Sequence, residues 1–204
     1  MDWKRKGRGE GPSPLPRLLL LSLFFLAGVI LGQVLAGRIS EELAQELVEY
    51  LRLYVALEGE CSPWTVLSAL VLYFRYPLLA VLLGFASLGV ALLPCITVAF
   101  GFFLSFSVCC FTAAFGEGGV VLALAILGLR CVVTLPCYFL LAVPAWQTSA
   151  ALAGASLGRR SAPVYGKDWW LRLAVCVGIL LAGMCVDLYL SPWLLQLALE
   201  HVLG

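Results

Sequence analysis

Charge is scarce in this chain and nearly balanced, with 13 Lys and Arg against 12 Asp and Glu over 204 residues. A net charge of +1 lacks the basic excess that nucleic-acid binding draws on through counterion release, which sets that class aside. A single His and two Met leave little for metal chemistry. The chain also has no Walker A string, no GxGxxG after a strand and no HExxH helix. Nucleotide hydrolysis, dinucleotide chemistry and zinc proteolysis therefore lack their usual residues. The string Gly154-Ala155-Ser156-Leu157-Gly158 matches a nucleophile elbow. That motif needs a preceding strand, and a His and an acid within reach of the serine, whereas the only His is His201 near the far end of the chain.

Apolar residues are abundant: 62% of the chain is hydrophobic, which marks it as a membrane protein. Seven of the eight cysteines (Cys95, Cys109, Cys110, Cys131, Cys137, Cys176 and Cys185) lie inside apolar runs and read as small hydrophobes. Cys61 stands in a polar stretch with no neighbour at a metal-ligand spacing, leaving an exposed thiol or an intermolecular disulfide open there. Neither a structural disulfide nor a zinc site is expected.

A helix needs about 20 residues to cross a hydrocarbon core, so the uncharged intervals between ionisable residues serve as a ruler. Leu18 to Gly37 carries no charge and forms the first span. The basic tail before it (Lys4, Arg5, Lys6, Arg8) raises a cleaved signal peptide as an alternative, with Val34-Leu35-Ala36 as the cleavage site. A retained anchor is favoured, because the apolar run continues to the next charge. Tyr76 to Gly116 is uncharged for forty-one residues, enough for two spans, and Pro94 marks their joint as a tight antiparallel hairpin. The interval after Glu117 holds only Arg130, and charge bias resolves it as one span followed by a small-residue segment, Trp146 to Gly158, at the cytoplasmic surface. The last span carries Trp169 and Trp170 at one interface and Tyr189 and Trp193 at the other, and Pro192 opens a short amphipathic tail.

The expected fold is therefore an all-α polytopic bundle of five spans, at 18–37, 76–93, 95–115, 119–145 and 169–190. Residues 1–17 form a basic cytoplasmic tail and 18–204 a single membrane domain. Nine Lys and Arg fall inside (Lys4, Arg5, Lys6, Arg8, Arg17, Arg159, Arg160, Lys167, Arg172) and three outside (Arg38, Arg52, Arg75). By the positive-inside rule the N-terminus is cytoplasmic and the C-terminus extracytoplasmic.

An external helix is expected over 40–57. Ser40 caps it and Glu41 and Glu42 suit the positive end of its dipole. Leu43, Leu47, Tyr50, Leu51 and Tyr54 recur at helical spacing and form one apolar face, opposite Gln45, Glu46, Glu49 and Arg52. Such a face lies on the membrane or on its own bundle, or it docks an extracytoplasmic partner through Leu43, Glu46, Leu47, Tyr50 and Tyr54. The acidic side does not favour anionic headgroups.

Arg130 lies about 16 Å along the fourth span from that span's expected outer end, where a bare arginine is costly. Asp187 is its first candidate partner and Glu117 its second. A structural ion pair, a substrate or proton pathway and lipid snorkelling are the three readings. Gly28 and Gly32 form a small-xxx-small pair, with Gly84, Gly89, Gly178 and Gly183 supplying further smooth surface, for intramolecular packing or for association with another helix or copy.

Three stretches carry a family resemblance: Leu26-Ala27-Gly28-Val29-Ile30-Leu31-Gly32, Phe100-Gly101-Phe102-Phe103-Leu104-Ser105-Phe106, and Leu135-Pro136-Cys137-Tyr138-Phe139-Leu140-Leu141-Ala142-Val143-Pro144-Ala145. With the basic N-terminus and the acidic external segment, they make the chain similar to the stage II sporulation protein M family of endospore-forming bacteria. Phe100 stands where that family often has Asn, and Cys137-Tyr138 where it has a polar pair. The positions that carry over are Pro94, Gly101, Pro136 and Pro144.

The resemblance implies a non-enzymatic membrane component, without cofactor, that anchors peptidoglycan hydrolases at the sporulation septum during engulfment. Its expected partners are membrane lipids and other membrane or extracytoplasmic proteins, with homo-oligomers open and nucleic acid excluded. A small transporter or permease subunit using Arg130 is the alternative.

Overall fold

The computed structural model describes residues 15–38, 49, 63–156 and 166–203. Among these the chain is helical, without a strand: α1 (Leu15–Ala36), α2 (Pro63–Gly84), α3 (Gly89–Phe115), α4 (Glu117–Ala123), a π-helical turn (Leu124–Gly128), α5 (Leu129–Ser156) and α6 (Lys167–Leu203). Five stretches are long and apolar enough to cross a membrane: Leu15–Ala36, Val66–Gly84, Gly89–Ala113, Leu129–Ala155 and Trp169–Leu190. A backbone surrounded by lipid must satisfy its hydrogen bonds within the segment, which is why such apolar runs fold as helices. The external 40–57 segment, with Leu43, Glu46, Leu47, Tyr50 and Tyr54, lies outside the described residues apart from Glu49, which is helical and exposed. Cys61, Arg159 and Arg160 also lie outside them.

Several boundaries differ from the charge ruler. The joint of the hairpin is the turn Phe85–Leu88, not Leu93-Pro94, and it is closed by Phe85 N–H to Leu82 O at 3.2 Å and Ala86 N–H to Leu83 O at 3.1 Å. Pro94 sits inside α3 near its start, where the proline removes only one helical hydrogen bond. Consequently α2 begins at Pro63 and runs through Arg75, which the ruler had taken as a span boundary. The fourth span is the longest departure. From Glu117 the chain stays helical through the π turn and on to Ser156, so Trp146–Ser156 continues the same helix, across Pro136 and Pro144. Pro192 likewise lies within α6 instead of starting a separate tail.

Glycines set the closest approaches. A Cβ at Gly28 would strike the Val98 carbonyl, and one at Gly32 would come within 2.6 Å of Phe102 O and 3.2 Å of Ser105 Cβ. Reciprocally, a Cβ at Gly101 would strike the Phe25 carbonyl and lie 3.2 Å from Val29 N. Higher numbers on α1 thus meet higher numbers on α3, so the two helices run parallel, backbone against backbone. This is the most extensive helix pair in the fold.

The central helices are α2 and α5. On one side they share a core with α1 and α3 built around Leu21, Tyr76, Leu93, Phe100 and Tyr138. On the other they share a second core with α6, around Tyr73, Cys137, Leu141, Cys176 and Leu180. The seven described cysteines are free thiols.

One end of the bundle gathers the end of α2, the start of α3, the last turns of α5 and the start of α6. Gly84 faces Ala145, Gly89 faces Ser149, and the Phe85 and Trp169 rings meet edge-on with centroids 5.2 Å apart. The start of α1 lies at this end too, because α1 parallels α3. The Arg130–Asp187 contact described below belongs to the opposite half of the bundle.

Candidate functional site

Three groups of polar side chains punctuate the apolar interior. The first is ionic. Arg130 donates to Asp187 Oδ2 through Nη2 at 3.0 Å and Nε at 3.3 Å, with side chains 13% and 4% exposed. The guanidinium also lies 5.7 Å from the centroid of the Tyr73 ring, and the Tyr73 hydroxyl donates to Gly183 O at 3.4 Å. Thr134 returns its hydroxyl to Arg130 O at 2.8 Å. The structure thus brings Arg130 to Asp187. Glu117 opens α4, and its side chain lies outside the described residues.

The level of this pair in the bundle follows from its neighbours. Tyr138 is level with Thr97, its hydroxyl partner on α3, and Gly28 is level with Val98. Arg130 is eight residues from Tyr138, and Ala36, the end of α1, is eight residues from Gly28, about 12 Å in each case. Arg130 therefore stands level with the end of α1 but beside Tyr73 of α2, two residues from Arg75, and the apolar stretch of α3 continues past that level to Ala113. Helix α4 and the π turn carry the chain beyond that level. An arginine inside an apolar span is less costly when a carboxylate holds it than when it is bare.

The second group is hydroxylic. Thr97 donates to Leu93 O at 2.8 Å, which leaves Tyr138 Oη as the donor in its 2.7 Å contact with Thr97 Oγ1. Phe100 packs edge-on to the Tyr138 ring with centroids 5.2 Å apart. The third group locks the hairpin turn: Thr148 donates to Gly84 O at 3.0 Å and Ser149 to Ala86 O at 2.7 Å. These are α2 carbonyls and turn carbonyls at the end of a helix, where intrahelical partners run out. Of the five buried polar side chains described, Thr97, Thr134, Ser149 and Asp187 are bonded in this way, and the fifth, Ser105, faces Gly32 across the α1–α3 contact.

The packing residues read from the sequence fall into two sets. Gly28, Gly32 and Gly101 make the α1–α3 contact, whereas Pro94, Pro136 and Pro144 lie within α3 and α5. Ser156 closes α5 at the end where α6 starts. His201 is two residues from the far end of α6, about 50 Å along the helix from Lys167.

The sequence reading set Arg75 outside, at the boundary of the second span, whereas it lies within α2. It is the tenth of the nineteen residues in the apolar stretch Val66–Gly84, hence about 14 Å from either end, and it is exposed. Its guanidinium lies 4.4 Å from the Tyr76 ring centroid, and that buried ring stacks on Phe100 at 4.3 Å. Among the described residues the one ion pair is Arg130–Asp187, so the company of Arg75 is aromatic rather than anionic. An arginine at mid-span costs about 2.5–3.5 kcal/mol on insertion scales. The signal that could have found it is Ser87 and Gly89: taking these small residues as the hairpin joint moves the span onto Arg75. No family model matches this chain, and no curated protein and no solved structure matches it either.

Proposed function

We propose that this chain is a non-enzymatic integral membrane scaffold of the bacterial cell membrane, which anchors and localises partner proteins and leaves the chemistry to them. The observation that carries this reading is the state of Arg130. Arg130, the cation that the permease alternative would employ, is engaged by Asp187, which ties α5 to α6. The hydroxyls of Tyr138 and Thr97 answer one another and that of Ser149 a backbone carbonyl, which suits a rigid support.

The orientation follows from charge. The bundle end that holds the starts of α1 and α6 is flanked in sequence by Lys4, Arg5, Lys6, Arg8, Arg159, Arg160 and Lys167, so it is the cytoplasmic end. The 39–62 segment and the C-terminus are then extracytoplasmic. The class of partner rests on the short motifs alone: through their likeness to the stage II sporulation protein M family, the partners are peptidoglycan hydrolases at the septum during engulfment.

Two experiments test the reading. Crosslinking from Glu46 or Tyr50 to a wall hydrolase in an endospore-forming host, with septal localisation of the tagged chain, supports it. Labelling of Lys167 from the exterior overturns the orientation. Loss of a solute flux in Arg130→Ala with normal localisation overturns the scaffold in favour of a permease subunit.

A further inference from the structure

The exposed side of α2 is a seam. Leu67, Val71, Arg75, Leu78 and Leu82 follow one another at intervals of four, four, three and four, and all are exposed. That spacing of threes and fours keeps the five side chains on one face of α2, a ridge against which a second helix can pack. Its four flanking positions are aliphatic and its centre is a cation.

Lipid alone does not explain the centre. Arg75 is midway along the apolar stretch, and its guanidinium lies against the ring of its own neighbour, Tyr76, which is buried and stacked on Phe100. The charge is thereby held at its own level in the span instead of reaching along the helix toward a headgroup. A polar residue kept inside an apolar span faces water, a carboxylate or a carbonyl.

We infer that this seam docks a transmembrane helix of a different protein, one that carries an Asp or Glu near its midpoint. Charge complementarity selects that occupant. A second copy of this chain does not supply it, because the only carboxylate within the five apolar stretches is Asp187, which is already bonded to Arg130. A second copy placed seam to seam would set Arg75 against Arg75. Leu67, Val71, Leu78 and Leu82 supply the apolar grip, and the ion pair at the centre fixes register and rejects helices without the acid.

The inference rests on the scaffold reading, but the two fail separately, since septal localisation and crosslinking from Glu46 do not involve Arg75. The test uses the full chain in phosphatidylcholine vesicles at pH 8, with energy transfer to a labelled single-span leucine–alanine helix bearing Asp, Asn or Leu at its midpoint. The Asp helix is expected to associate about tenfold more tightly than the Leu helix and more tightly than the Asn helix. Arg75→Gln is expected to abolish the preference and Arg75→Lys to keep part of it, which separates lost charge from lost fold. Equal association of the three helices overturns the inference, as does an Asp preference that survives Arg75→Gln. An Asn helix equal to the Asp helix shows hydrogen bonding without charge selection and also overturns it. Loss of the Asp preference when phosphatidylglycerol replaces part of the lipid assigns Arg75 to headgroups and has the same consequence.

Discussion

Substituting Gly32 by Ala probes the α1–α3 contact directly. The new Cβ would lie 2.6 Å from Phe102 O, 3.1 Å from Phe106 N and 3.2 Å from Ser105 Cβ. An unstrained carbon–oxygen contact needs about 3.3 Å, so the helices must part locally by about 0.7 Å. The obstructing atom belongs to the backbone, and no rotamer change relieves it. A gap of about 0.5–1 Å forfeits a quarter to a half of the dispersion attraction across the seam, in addition to the cost of overpacking, about 1–3 kcal/mol.

Gly178→Ala is the matched control, since nothing lies within 4 Å of a Cβ there and both positions are helical. The difference between the two variants cancels the intrinsic helical preference of Ala over Gly and isolates the contact. Reversible unfolding in mixed micelles should show Gly32→Ala less stable than Gly178→Ala by about 1–3 kcal/mol. Gly32→Ala combined with Gly101→Ala should cost less than the sum, because the first substitution already separates the helices that the second would push. Equal stability of Gly32→Ala and Gly178→Ala would refute the close backbone packing.

Removing one member of the ion pair, by Arg130→Ala or Asp187→Ala, should cost about 3 kcal/mol or more in the same assay, and the double variant less than the two together, because a lone buried charge is worse than none. Tyr138→Phe should cost about 1 kcal/mol, as Thr97 keeps its bond to Leu93 O and loses only the phenol donor. Ser149→Ala should lower stability by about 1–2 kcal/mol and raise thiol labelling of a cysteine introduced at Ser87, whereas unchanged labelling would show that the hydroxyl does not hold the turn.

The apolar runs made the helical class and the number of long apolar helices legible, because lipid leaves a chain so few ways to bond its backbone. The partnership of Arg130 with Asp187 was legible for a similar reason, few carboxylates being within reach. The joints were not. A proline near a helix start costs little, so Pro94 is compatible with either a boundary or an interior place, and only the packing of Gly89 beside Ser149 distinguishes them. Arg75 was misplaced because a charge ruler assumes that cations bound spans. That assumption fails where a guanidinium can rest on an adjacent aromatic ring. The reciprocal contact of Gly28 and Gly32 with the Gly101 turn of α3 was also hidden, since spacing along one helix does not reveal which partner fills the gap.

The parallel pairing of α1 with α3 has a consequence for biogenesis. Gly28 closes on Val98, seventy residues later in the chain, so the first helix leaves the translocon well before its mate is synthesised. It must reside alone among lipids in the interim, which its lack of any ionisable group from Leu18 to Gly37 permits. Final closure of the bundle is then a late lateral association of two helices already inserted, a step that can be arrested without preventing membrane entry.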